Sequence, residues 1–151
     1  MHDMNTKSLA LKTESSVLQL LDVAASLERR LDRALSMIRG ISYREYRLLK
    51  TLSQSPDDGL TRVALAELVG LTPSAVTRAL KPLEKIGLVN TIKGERDARQ
   101  SKATITTTGV ELLDDAQGVL NDVYTELPIN SINEQRVKEF QQRLKDFKRQ
   151  D

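Results

Sequence analysis

The 151 residues contain no cysteine and a single histidine, His2. The first absence removes disulfides, thiolate nucleophiles, thiol redox sensing and zinc–thiolate sites together. The second leaves the body of the chain without imidazole, so neither histidine catalysis nor a histidine-held metal is expected; a carboxylate-only metal site stays possible, but no motif for one occurs. No cofactor is expected either: the glycine-rich loops G-x-G-x-x-G and G-K-[ST] do not occur. Aromatic residues make up only 3 % of the chain, too few for a surface that stacks single-stranded bases. No apolar run approaches the roughly 20 residues that span a bilayer, and Met1 to Ser8 holds no apolar signal-peptide core. A cytoplasmic location without membrane contact is the expectation. The adjacent carboxylates, Asp57-Asp58 and Asp114-Asp115, lie in a turn and on a helix. Helix neighbours point about a quarter-turn apart and turn residues are solvated, so neither pair makes an acid–base couple. The chain does not read as an enzyme.

What is present is charge, unevenly placed. Residues 61–106 hold eight cations (Arg62, Arg78, Lys81, Lys85, Lys93, Arg96, Arg99, Lys102) against four anions (Glu67, Glu84, Glu95, Asp97). That segment carries +4, which leaves −2 for the rest of a chain whose total is +2. A basic middle between mildly acidic flanks suits a polyanion partner.

Helical periodicity dominates the pattern. Val17, Leu20, Leu21, Ala24, Leu27, Leu31, Leu35 and Ile38 recur at three- and four-residue spacing and predict one long amphipathic helix over 9–40. Residues before about Leu9 are expected to be disordered. Ser42 and Glu45 form a capping box for a second helix bearing Tyr46, Leu49 and Leu52. Ser55-Pro-Asp-Asp-Gly59 is a turn cluster. Thr61 caps a short third helix ending at Gly70; Thr72 caps a fourth, with Pro73 at its first position and Gly87 past its end. Pro82 sits inside that fourth helix, where a mild kink is expected. The period then changes to two. Leu88–Lys93 and Ser101–Thr106 predict a two-stranded hairpin around a charged loop. Capping boxes at Thr108/Glu111 and Ser131/Glu134 open two last helices within 108–149, with Pro128 between them.

The order is mainly α, with a winged helix-turn-helix over 42–109 and long terminal helices on either side. Two helices joined by Gly70-Leu71-Thr72 are its centre. Leu71, Val76 and Leu80 lock the pair, and Ala66 is small enough to permit close packing. The second helix leaves Ser74, Ala75, Thr77, Arg78 and Lys81 outward, next to Thr72 at the cap. Such a helix end can enter the major groove of double-stranded DNA, Arg78 taking a guanine edge and the hydroxyls taking bases or phosphates. The hairpin places Arg96 and Arg99 at its tip, suited to a narrow minor groove. The turn alone is equally an αα-hairpin, and the loop alone a solvated turn; it is their succession that favours DNA. Some winged helices bind protein instead, so that reading stays open.

The run Leu65-Ala-Glu-Leu-Val-Gly-Leu-Thr-Pro-Ser-Ala-Val-Thr-Arg78, then Leu83-Glu-Lys-Ile-Gly-Leu-Val89, Arg96-Asp-Ala-Arg99 and Thr106-Thr-Thr-Gly109, resembles the MarR family of bacterial regulators. The resemblance implies that Arg99 reaches the minor groove and that Asp97 braces the wing by an ion pair. It implies a homodimer built from both termini on a palindromic operator. A dimer also suits the apolar stripe of the first helix and Phe140, Leu144 and Phe147 of the last, although the two terminal helices packing on each other within one chain is an alternative. Without cysteine or body histidines, thiol or zinc sensing does not carry over. A small organic ligand is left as the expected effector, with no pocket located, and repression by occlusion as the expected mode.

Overall fold

The computed structural model describes residues 2–97 and 100–148. The elements run α1 (His2–Ile38), α2 (Tyr43–Ser53), β1 (Leu60–Thr61), α3 (Arg62–Val69), α4 (Pro73–Lys85), β2 (Val89–Ile92), β3 (Lys102–Ile105), α5 (Thr107–Thr125) and α6 (Glu134–Lys148). A 3-10 turn, Pro128–Ser131, separates the last two helices. The helical class and the winged helix-turn-helix are as the sequence pattern predicts.

The apolar periodicities meet in one core. Leu31 and Leu35 of α1, Leu48, Leu49 and Leu52 of α2, and Leu113, Ala116 and Leu120 of α5 pack with Leu65, Val76, Leu80 and Leu83 of α3 and α4. Each buried leucine contributes roughly 1.5–3 kcal/mol of transfer free energy. The Ser42/Glu45 capping box is formed, and Asp32 of α1 accepts from Tyr43 N at 2.6 Å, fixing α2 to α1.

Four expectations are corrected. The first helix begins at His2, not near Leu9, and residues 3–19 are all exposed. The sheet has three strands in the order β1-β3-β2, all antiparallel neighbours, rather than a lone hairpin. Two residues are too few for alternation to announce β1. What seats it is Gly59 at φ 82°, where an added Cβ would lie 2.3 Å from the carbonyl oxygen of Ala103. The cap of α5 is Thr106, not Thr108. Its hydroxyl accepts from Gly109 N at 3.0 Å and donates to Gly87 O at 2.7 Å, a partner supplied by the exit of α4. The cap of α6 is Asn133, whose Oδ1 accepts from Arg136 N at 3.0 Å, because the Ser131 hydroxyl donates instead to Pro128 O.

The terminal helices do not pack on each other in any depth: α6 buries no residue. Leu9, Leu18 and Leu21 of α1, and Phe140 and Phe147 of α6, stand about half or more exposed. Among the described residues no single helix is long and apolar enough to cross a membrane.

Candidate nucleic-acid interface

The helix-turn-helix is built by three local devices. The Thr61 hydroxyl accepts from Ala64 N at 3.2 Å and starts α3. Gly70 takes the left-handed conformation, φ 71°, which ends α3 and lets Leu71 N donate to Ala66 O at 3.0 Å. The Thr72 hydroxyl accepts from Ala75 N at 3.2 Å, and Pro73 occupies the first position of α4. The chain turns through 102° between the two helices, within the usual range for this motif.

Val76, Leu80 and Leu83 bury one stripe of α4. Thr72, Ser74, Thr77, Arg78 and Lys81 are exposed, as expected. Ala75 is the exception. It is half-buried, because with Ala79 it flanks the buried stripe, so it offers less surface than its neighbours. The Thr77 hydroxyl donates to Pro73 O at 3.0 Å, which leaves its lone pairs to accept. The Thr72 oxygen already accepts from the backbone, so its own proton remains to donate, as a phosphate oxygen would require. The helix runs through Pro82 to Lys85 without a break.

In the wing, the loop after β2 closes on Gly94. An added Cβ there would lie 2.6 Å from Gln100 Cβ and 2.8 Å from Asp97 O, and Gln100 N donates to that same carbonyl at 3.0 Å. Lys93 and Arg96 are exposed. Arg99 lies outside the described residues, and with it the ion pair expected of Asp97.

The eight cations of the basic segment divide by environment. Lys102 is paired with Asp58, whose carboxyl is held below its ordinary range by that hydrogen bond. Arg62 is 20 % exposed and donates to Thr91 Oγ1 at 2.9 Å and Ser101 O at 3.3 Å, with Glu84 at 3.6 Å. Arg78, Lys81, Lys85, Lys93 and Arg96 make no ion pair among the described residues. Positive charge is therefore concentrated on α4 and the wing. The role of Arg62 escaped the sequence reading. Its signal was there: a cation in the first turn of a helix opposes the helix dipole and needs another partner.

A second feature was not legible in sequence. All three tyrosines of the chain, Tyr43, Tyr46 and Tyr124, line one cavity of about 270 Å³ together with Lys50 and Gln117. The Tyr43 and Tyr46 rings stack at 6.0 Å. Gln117 Oε1 accepts from both Tyr46 Oη (2.5 Å) and Lys50 Nζ (2.7 Å). Burial pushes the Tyr46 phenol up to about 12, and raises that of Tyr124 as well, so both remain protonated donors near neutrality.

Comparison with known proteins places this geometry. The MarR family model matches residues 41–101. The HTH-type transcriptional repressor Rv2887 of Mycobacterium tuberculosis is 35 % identical over 98 residues, 65 % of this chain and 68 % of that protein. Sco3205, a MarR family regulator from Streptomyces coelicolor solved in complex with DNA, superposes with a TM-score of 0.80 at 25 % identity over 89 % of this chain and 87 % of that one. CouR from Rhodococcus jostii, solved with p-coumaroyl-CoA, shares the fold at 22 % identity, TM-score 0.77, over 89 % and 92 %. With the family model matched and a relative 35 % identical over two thirds of its own length, the chain belongs to the MarR family of winged helix-turn-helix transcriptional regulators.

Proposed function

We propose that the chain is a homodimeric repressor that occupies a palindromic operator and is released by a small organic ligand. The observation that carries the DNA reading is the open cationic and hydroxyl face of α4, Thr72, Ser74, Thr77, Arg78 and Lys81, followed at once by a wing with Arg96 exposed; in sequence Arg99 falls in the same loop. In this reading α4 lies in the major groove, Arg96 and Arg99 enter the flanking minor groove, and Asp97 braces the wing. Rv2887 is a repressor by name and Sco3205 was solved on DNA, which supports the same partner here. The test is the salt dependence of binding to duplex DNA. Several phosphate contacts per subunit give a log–log slope of several units, whereas a protein-binding winged helix shows no duplex affinity.

The dimer rests on the uncovered terminal helices. Residues 3–19 of α1 form about 25 Å of helix exposed on all sides, an arrangement that water alone does not sustain. A second copy packing on α1 and α6 would cover Leu18, Leu21, Phe140 and Phe147. Light scattering at micromolar concentration is expected to give twice 16.9 kDa; a clean monomer would remove the palindrome with it. For the ligand, the tyrosine-lined cavity beside α2 and α5 offers ring stacking and, in Lys50, a half-buried ammonium that donates to the neutral amide of Gln117. An aromatic carboxylate complements both. CouR, of the same fold, holds the acyl-CoA of an aromatic acid. The duplex titration repeated with aromatic carboxylates reads this directly: release of DNA supports the cavity as the effector site, and indifference to the whole series removes it.

A further inference from the structure

We infer that Arg62 is a positioning residue for DNA binding: it sets the wing against the recognition helix without touching DNA itself. This rests on the DNA-binding reading above. Thr61 pairs with Lys102 at the end of β1, so Arg62 leaves the strand beside Ser101, the residue just before β3. Its guanidinium then crosses the sheet. It donates to Ser101 O ahead of β3 and to Thr91 Oγ1 on β2, and it faces Glu84 in the last turn of α4. Both strands of the wing and the recognition helix thus converge on one side chain.

Chemistry and burial both favour a fixed tie over a free charge. Glu84 Oε1 is buried and has no hydrogen bond among the described residues, so the guanidinium 3.6 Å away is its counter-charge. A planar fork can serve separated acceptors on two strands and a helix at once; a lysine ammonium, compact and strongly hydrated, cannot. The wing otherwise meets α4 mainly where β2 follows it through Gly87 and Leu88, and Thr106 closes that corner from the far side. Without Arg62 the corner remains, but among the described residues no other ion pair or side-chain hydrogen bond ties Thr91 or Ser101 to α4. A two-groove binder needs that alignment, because each contact is made only when the other is in register.

The test uses the full-length protein, a selected operator and random duplex, with Arg62→Met, which keeps the aliphatic stem, and Arg62→Lys. Thermal unfolding first establishes that each variant is folded. Operator affinity is expected to fall about tenfold in both, the size of one charge-assisted hydrogen bond, while the salt slope stays at the wild-type value. Arg96→Ala is expected to cost less in the Arg62→Met background than in wild type, since a misplaced wing has less to lose. Should Arg62→Met not fold, Thr91→Val deletes only the acceptor on β2 and is expected to show the same coupling to Arg96→Ala. A salt slope reduced by about one per subunit would make Arg62 a phosphate contact and overturn the inference. Wild-type affinity in either Arg62 variant, or strict additivity with Arg96→Ala, would overturn it equally. Absence of any duplex affinity in the wild-type protein would instead overturn the DNA-binding reading, and this inference with it.

Discussion

Leu80→Ala is expected to lower the stability of the fold by about 2–5 kcal/mol, as truncation of a buried leucine does. Leu80 is 1 % exposed at the centre of α4 and packs in the core that also holds Leu49 and Leu65. Against a typical total of about 5–15 kcal/mol, that loss is severe. Yet Leu80 lies on the buried stripe with Val76 and Leu83, whereas Arg78 is exposed on the other side of the helix. The variant that remains folded should therefore keep the wild-type ratio of operator to random-DNA affinity. Urea unfolding at one fixed protein concentration measures the first part, since a dimer's midpoint shifts with concentration. A midpoint unchanged from wild type would mean that α4 is not anchored through this residue.

The core was readable because its information is local. Leu31 and Leu35, or Leu113, Ala116 and Leu120, announce a buried face by spacing alone, and Thr61, Gly70, Thr72 and Pro73 announce a helix-turn-helix because each serves a backbone need within four residues. What escaped depends on partners distant in sequence. The cap of α5 went to Thr106 because Gly87, nineteen residues earlier, accepts its proton. Ser131 lost its capping role to Asn133 for a reason within reach: its hydroxyl satisfies Pro128 O, three residues back. Strand β1 exists only because Gly59 lays the backbone against Ala103. Arg62 looked like one more cation for a polyanion until the fold brought Thr91, Ser101 and Glu84 around it. The tyrosine cavity is the same case, with Tyr46 and Gln117 separated by 71 residues. The candidate DNA contacts on α4 were legible since exposure on a helix follows from its period; Ala75, at the edge of the stripe, is where that rule blurred.

Arg78→Ala is expected to separate base reading from phosphate attraction. Arg78 is exposed nearly two turns beyond the capped end of α4 and makes no ion pair among the described residues, so no described side chain competes for its guanidinium. In the proposed mode Thr72 and Ser74, at the positive end of the helix dipole, take phosphate oxygens, and Arg78, deeper along the helix, takes a guanine edge. Loss of one bidentate arginine–guanine contact costs about 1–3 kcal/mol per half-site, hence about 2–6 kcal/mol on a symmetric operator bound by two subunits. On random duplex the loss should be much smaller, since there the side chain contributes charge alone. Fold stability should be unchanged within about 0.5 kcal/mol, as for other surface positions, which sets this variant against Leu80→Ala on the opposite side of the same helix. The measurement is paired: wild type and Arg78→Ala, each on the selected operator and on random DNA, at one salt concentration. Equal losses on both duplexes would make Arg78 a phosphate contact and move base reading to Thr77 and Lys81, its exposed neighbours on α4.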